Sequence, residues 1–163
     1  MKKNGFTFIE TLLVIAIISS LSVFGLMKIS AFQEDAKIDS VANEVLSTLK
    51  VARNKSELGE IPSSSSLDDY LPDQLPSYGV RSKGDGYEIF VQYQEVTSTF
   101  EESDSASQTY EIPSEINVSI PSGVVFERLS GKTNDAEIGV FYKGILKKKI
   151  LIKSSGYFEV EDA

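Results

Sequence analysis

Three residue types are absent from this chain of 163 residues: cysteine, histidine and tryptophan. Without cysteine there is no thiol catalysis, no cysteine-ligated zinc and no iron–sulfur cluster. Without histidine the chain lacks the commonest general base and the commonest metal ligand. Only Ser–Lys or paired-carboxylate schemes remain for hydrolysis, and no residue spacing singles one out. We therefore expect a protein that is not an enzyme and needs no cofactor or metal.

Positive charge is also in short supply. The chain has 16 Lys and Arg against 24 Asp and Glu, which gives a formal net charge of -8. Such a chain repels phosphate backbones, so we do not expect DNA as a partner. A local basic run, Lys147–Lys149, lies inside an otherwise apolar predicted strand. We expect these lysines to be solvated or to protect a sheet edge, and a DNA- or partner-contacting patch is the alternative.

Apolar residues are concentrated at the N-terminus. Phe6–Met27 is a run of 22 residues with one ionisable side chain, Glu10. A helix of that length spans about 33 Å, close to the hydrocarbon thickness of a bilayer. Lys2 and Lys3 precede the run, so the positive-inside rule places the N-terminus in the cytoplasm and exports the rest. The pattern predicts a single-pass (inner or cytoplasmic) membrane helix over residues 6–27.

Glu10 separates three interpretations of this N-terminus. A secretory signal peptide has a basic start and an apolar core, but this apolar run is longer than usual and carries a charge. A plain single-pass anchor explains the length and assigns no role to Glu10. A carboxylate within a bilayer costs roughly 2.5–3.5 kcal/mol and normally has a partner or a function. The third interpretation provides that function.

The stretch Lys2-Lys3-Asn4-Gly5-Phe6-Thr7-Phe8-Ile9-Glu10 resembles the class III signal of type IV prepilins and type II secretion pseudopilins. The resemblance implies a leader at residues 1–5, which a prepilin peptidase removes between Gly5 and Phe6, followed by N-methylation of Phe6. It also implies that Glu10 pairs with the terminal amine of a neighbouring subunit in a filament. The implied partners are other pilin or pseudopilin subunits, the prepilin peptidase, an inner-membrane assembly platform and the lipid bilayer.

The helix is predicted to continue beyond the apolar run as an amphipathic half at residues 28–60. Its predicted apolar stripe is Ile29, Phe32, Ala36, Val41, Val45, Leu49 and Ala52. The stripe should pack against a sheet. Leu58-Gly59-Glu60-Ile61-Pro62 signals the end of the helix, with Gly59 as the C-cap.

Residues 61–163 read as an exported, β-rich globular domain. Residues 62–72 read as a connecting loop, and residues 101–107 as an acidic, solvated loop without calcium-ligand spacing. Period-two patterns and turn signals predict the following strands: 78–83, 87–96, 109–112, 115–120, 124–129, 136–142, 145–153 and 157–160. The predicted fold class is α+β, a pilin-like fold with one long N-terminal helix packed on a C-terminal antiparallel β-sheet domain.

The C-terminal third resembles the end of GspH/FimT-type minor pilins and pseudopilins. The resemblance rests on Val124-Val125-Phe126 followed by Gly131, on the apolar hairpin 138–152, and on Ser154-Ser155-Gly156-Tyr157-Phe158. It implies a minor subunit of a secretion or pilus filament. A competence-type pseudopilin in DNA uptake and a membrane-anchored exported domain of unknown activity are the alternatives. A terminal arginine cluster would indicate DNA capture, but this chain has Glu159-Val160-Glu161-Asp162 at that place, which disfavours a DNA-receptor role.

Overall fold

The computed structural model describes residues 7–61, 76–94, 100–102, 108–121 and 123–163. For residues 23–28, 30, 31, 93, 94 and 100–102 the description is of the backbone alone. The chain divides into two compact units, one ending at Lys37 and the other running from Ile38 to Ala163. The predicted connecting loop at residues 62–72 lies outside the described residues.

Helix α1 runs from Phe8 to Leu58, 51 residues. It ends where Gly59 adopts a φ of 59°, a left-handed conformation that glycine accepts without steric cost. The Gly59 amide donates to the Ser56 carbonyl at 3.2 Å, and the Glu60 amide donates to the Lys55 carbonyl at 2.9 Å. These two bonds form a Schellman motif, which satisfies carbonyls that the end of the helix leaves open. The predicted stop with Gly59 as C-cap is confirmed.

Nine strands follow among the described residues, all in antiparallel pairs. They are β1 (Ser77–Lys83), β2 (Gly86–Gln94), β3 (Phe100–Glu102), β4 (Gln108–Glu111), β5 (Ile116–Ser119), β6 (Val124–Phe126), β7 (Ala136–Tyr142), β8 (Ile145–Ile152) and β9 (Phe158–Asp162). The first sheet has the order β3-β2-β1-β6, with β4 also on β2, and the second has the order β5-β7-β8-β9. The predicted α+β class with antiparallel sheets is confirmed.

One hydrophobic core joins the second half of α1 to both sheets. The helix contributes Ile38, Val41, Ala42, Val45, Leu49 and Ala52. Strand side chains at alternate positions contribute most of the rest: Tyr78, Val80, Tyr87, Ile89, Val91, Ile116, Val118, Val124, Phe126, Ile138, Val140, Tyr142, Ile150 and Ile152. Alternation places these side chains on the face of each strand that packs in the core. In the middle of β2 the opposite face, with Glu88 and Phe90, is buried as well.

Three predictions about the fold need correction. Ile29, Phe32 and Ala36 are exposed, because the compact unit that contains the core begins only at Ile38. The predicted acidic loop starts too early, since Glu101 and Glu102 belong to β3 and pair with β2. The predicted strand 124–129 ends at Phe126, because Leu129 has a φ of 61°, which an extended strand cannot contain.

No helix in the described part of the chain has the combination of length and apolarity that crossing a membrane requires. The predicted span at residues 6–27 includes Phe6 and the side chains of residues 23–27, which lie outside the described set. That span stays a prediction.

Candidate functional site

Glu10 lies in the first turn of α1. Its Oε2 accepts a hydrogen bond from the backbone N–H of Thr7 at 3.4 Å. The Thr7 carbonyl in turn accepts from the amides of Glu10 at 3.1 Å and Thr11 at 3.2 Å. Thr7 is therefore the N-cap, and Glu10 reaches back to it from the third helical position, as in a capping box. Gly5 and Phe6 lie outside the described residues, so cleavage between them and methylation of Phe6 stay predictions.

The helical residues 8–22, here called the apolar stretch, expose every side chain to the surroundings. Its large apolar side chains are between 45% and 79% exposed: Phe8, Ile9, Leu12, Leu13, Val14, Ile15, Ile17, Ile18 and Leu21. They surround the helix on all sides instead of forming one stripe.

The hydroxyl groups of the apolar stretch bond to the helix itself. Ser19, Ser20 and Ser22 each donate to the carbonyl four residues earlier, at 2.8, 2.6 and 2.8 Å. Thr11 donates to the Phe8 carbonyl at 2.8 Å. These bonds satisfy the hydroxyls without water, which suits a polar side chain in a dry environment. Glu10 is left as the charged group of the stretch.

The basic run Lys147–Lys149 lies on β8, between β7 and β9, so the expectation that it protects an edge was wrong. Lys147 is exposed, as the expectation of solvated lysines requires, and Lys148 and Lys149 are half-buried. Lys148 pairs with Asp39 and Asp162, both at 2.8 Å, and Lys149 pairs with Glu137 at 2.8 Å. Hydrogen bonds to Asp162 and Asp39 raise the pKa of Lys148. Carboxylates therefore offset the charge of two of the three lysines, which weakens this run as a contact for phosphates.

A buried carboxylate that no sequence pattern indicated lies on β2. Glu88 is fully buried, and it accepts from Arg81 Nε at 2.7 Å and from Lys83 Nζ at 2.6 Å. Burial raises the pKa of Glu88, but the hydrogen bonds from Lys83 and Arg81 outweigh burial and the net shift is downward. Arg81 also lies over the Phe90 ring, 4.9 Å from its centroid. A single Glu in an alternating strand carries no sequence signal that distinguishes burial from exposure.

Arg53 of α1 anchors the turn that precedes β9. Its Nη1 donates to the Gly156 carbonyl at 2.7 Å, and its Nε donates to Glu57 Oε1 at 2.8 Å. Gly156 is buried with a φ of 78°, and a Cβ there would come within 2.7 Å of the Gly131 carbonyl oxygen. A glycine is thus required at this position for both conformation and space.

The described residues contain no group of three or more carboxylates that is arranged to hold a metal ion. The larger part of the predicted acidic loop, residues 103–107, lies outside the described residues.

Comparison with known proteins gives little similarity. No protein-family model matches the chain, and no curated protein matches it. Among solved structures, the chain is similar to the minor pseudopilin EpsH from the type II secretion system of Vibrio cholerae. The TM-score is 0.48 at 10% sequence identity, and the match covers 78% of this chain and 97% of EpsH. A TM-score below 0.5 is too low to assign a fold family or a function.

Proposed function

We propose that this chain is a structural, non-enzymatic subunit of a type IV pilus-like or type II secretion filament, a minor pilin or pseudopilin. The observation that carries the proposal is the apolar stretch: a helix exposed on all sides, with its hydroxyls bonded internally and one carboxylate, Glu10, in its first turn. The processing signature at Gly5 and Phe6 directly precedes it in the sequence.

The apolar stretch needs a covering that the described part of the chain does not provide. Burying one fully exposed large apolar side chain is worth about 1.5–3 kcal/mol. These nine are between 45% and 79% exposed, so covering what remains exposed amounts to on the order of 10 kcal/mol. Lipid before assembly and neighbouring helices after assembly both supply such a covering. The stretch is therefore the part of the molecule that holds a subunit first in a bilayer and then in a filament core.

Glu10 then favours the assembled state. One carboxylate oxygen of Glu10 accepts a hydrogen bond from the Thr7 amide, which is a neutral donor. Within the described residues Glu10 forms no ion pair with a cation. An unpaired charge is costly in an apolar environment, and a complementary cation recovers much of that cost. Cleavage after Gly5 creates such a cation, the α-amine of Phe6, on every neighbouring subunit. Only one axial stagger of two helices brings the two groups together, so the pair also sets the register.

The proposal includes the order of events. The chain is inserted with its N-terminus in the cytoplasm and its β-rich domain exported, and the prepilin peptidase cuts it between Gly5 and Phe6. Phe6 is then methylated, and an assembly platform moves the subunit from the bilayer into the filament. The chain is the substrate of the peptidase and contributes no catalysis of its own.

The experiment is N-terminal peptide mass spectrometry on the full chain, produced together with a prepilin peptidase and its filament system. We expect a chain that starts at Phe6 with one added methyl group. Glu10→Gln should be cleaved normally but enter filaments at least about tenfold less, whereas Glu34→Gln, the same change later in α1, should behave as the parent. A chain that retains Met1–Gly5, or a Glu10→Gln variant that assembles as well as Glu34→Gln, would contradict the proposal.

A further inference from the structure

A groove on the compact unit 38–163 separates the last turns of α1 from the start of β9. Its volume is about 400 Å³. It is lined by Leu46, Lys50, Arg53, Asn54, Gly156, Tyr157 and Phe158. That size admits two or three side chains of a peptide and is small for a whole folded element.

The helical wall of the groove donates hydrogen bonds and carries positive charge. Glu57 and the Gly156 carbonyl hold Arg53 in place, and Glu57 offsets its charge. Lys50 is exposed and forms no ion pair within the described ranges, so it supplies the net positive charge. Asn54 is exposed one helical turn after Lys50, and side chains four residues apart on a helix are neighbours. The Lys50 ammonium and the Asn54 amide can thus donate to one carboxylate together.

The opposite wall is aromatic. Tyr157 is 63% exposed, and Phe158 beside it is half-buried and packs against Phe126, with ring centroids 6.0 Å apart. Leu46 adds an aliphatic surface at the helical side. A ligand that fills this groove must therefore place an apolar group next to its carboxylate.

We propose that this groove binds an acidic segment of a neighbouring filament subunit, in which a carboxylate alternates with apolar side chains. The inference rests on the proposed function, which supplies neighbouring subunits. The groove presents one net positive charge, whereas the chain as a whole carries a net charge of -8. Charge complementarity therefore favours an acidic segment as the occupant. A nucleic acid requires several phosphate contacts, and the acidity of the whole chain opposes them.

The probe is a capped five-residue peptide with the sequence of residues 158–162, Phe-Glu-Val-Glu-Asp, which has the required alternation. It is titrated against the full ¹⁵N-labelled chain in detergent micelles, and amide shifts are followed by NMR. We expect saturable shifts at Lys50, Asn54 and Tyr157. A peptide in which Gln and Asn replace the three acids should not produce them.

Variants separate the groove from general electrostatic attraction. Lys50→Gln should weaken binding about two- to fivefold, the effect of one exposed ion pair. Lys147→Gln is the matched control, because Lys147 is also exposed and also forms no ion pair within the described residues. Four outcomes would overturn the inference. The two variants could weaken peptide binding equally, the amide shifts could lie away from the groove, the peptide could fail to bind, or a single-stranded oligonucleotide could displace it. If the chain is processed and assembled but the peptide does not bind, the groove proposal alone fails.

Discussion

Glu88→Gln tests the buried ion pairs of β2. The side chain of Glu88 is fully buried, whereas its partners Arg81 and Lys83 are 29% and 48% exposed. Glutamine keeps the shape of the side chain and removes its negative charge. The change therefore isolates the electrostatic contribution, with little effect on packing.

The expected cost follows from two charge-assisted hydrogen bonds, at 2.7 Å from Arg81 and 2.6 Å from Lys83. Hydrogen bonds to charged groups are worth about 1.5–3 kcal/mol each. Glutamine still accepts one of them, and both cations can turn to water. We therefore expect a loss of about 2 kcal/mol in the free energy of unfolding at neutral pH, below the 3–5 kcal/mol typical when a deeply buried charge is left unpaired.

The loss should depend on pH with a defined sign. The pKa of Glu88 in the folded chain is lower than its ordinary value of 4.5. The stabilisation from a carboxylate with a lowered pKa is complete above the unfolded value and disappears as the pH falls through the folded value. The glutamine variant binds no proton there. The difference between the parent and the variant should be constant above about pH 5 and shrink in acid.

The assay is urea unfolding of the full chain in micelles, followed by tyrosine fluorescence at pH 7 and at about pH 3. Glu137→Gln, which removes the charge from an exposed ion pair with Lys149, is the control and should cost less than about 0.5 kcal/mol. A Glu88→Gln variant that costs no more than this control at pH 7, or a difference that persists in acid, would refute the reasoning.

Two further predictions concern the core and the turn before β9. Ile150→Ala removes a fully buried side chain and should lower the free energy of unfolding by about 2–5 kcal/mol, whereas Ile145→Ala at a 63% exposed position should change it by less than about 0.5 kcal/mol in the same urea assay. Gly144→Ala places a side chain at a φ of 82° in open space and should lower the free energy of unfolding by about 1 kcal/mol. Gly156→Ala has a similarly unfavourable φ of 78° and in addition a close contact with the Gly131 carbonyl, so it should lower the free energy of unfolding by more. Equal midpoints for the two glycine variants would show that backbone conformation, and not space, decides the effect.

Local patterns were sufficient for much of the fold. The stop at Gly59, the starts of β1 and β2 to within one residue, and the bounds of β7 agree with the predictions from the sequence. Each of these depends on interactions within a few residues, such as a left-handed glycine or the alternation of apolar side chains. Strand β3 was not predicted. Its sequence Phe-Glu-Glu is short and acidic, which is typical of a loop, and its strand conformation depends on pairing with β2.

Long-range contacts decided the features that sequence patterns missed. The same helical periodicity runs through Phe32 and Val45, but Phe32 is 75% exposed and Val45 is fully buried. Periodicity identifies a face of a helix and cannot tell where along the helix a domain begins. Likewise, Lys148 is neutralised by Asp39 and Asp162, residues 109 and 14 positions away, which no local window contains.

The sequence by itself determined the elements of this protein that depend on short-range chemistry: the helix, its stop at Gly59 and the α+β class with antiparallel strands. Only the tertiary structure decided which residues are buried and which charges are paired, as in the Glu88 cluster and the Arg53–Gly156 anchor. The physical reason is that backbone conformation responds to neighbours within a few residues. Burial and ion pairing depend on side chains that the fold brings together from distant parts of the chain.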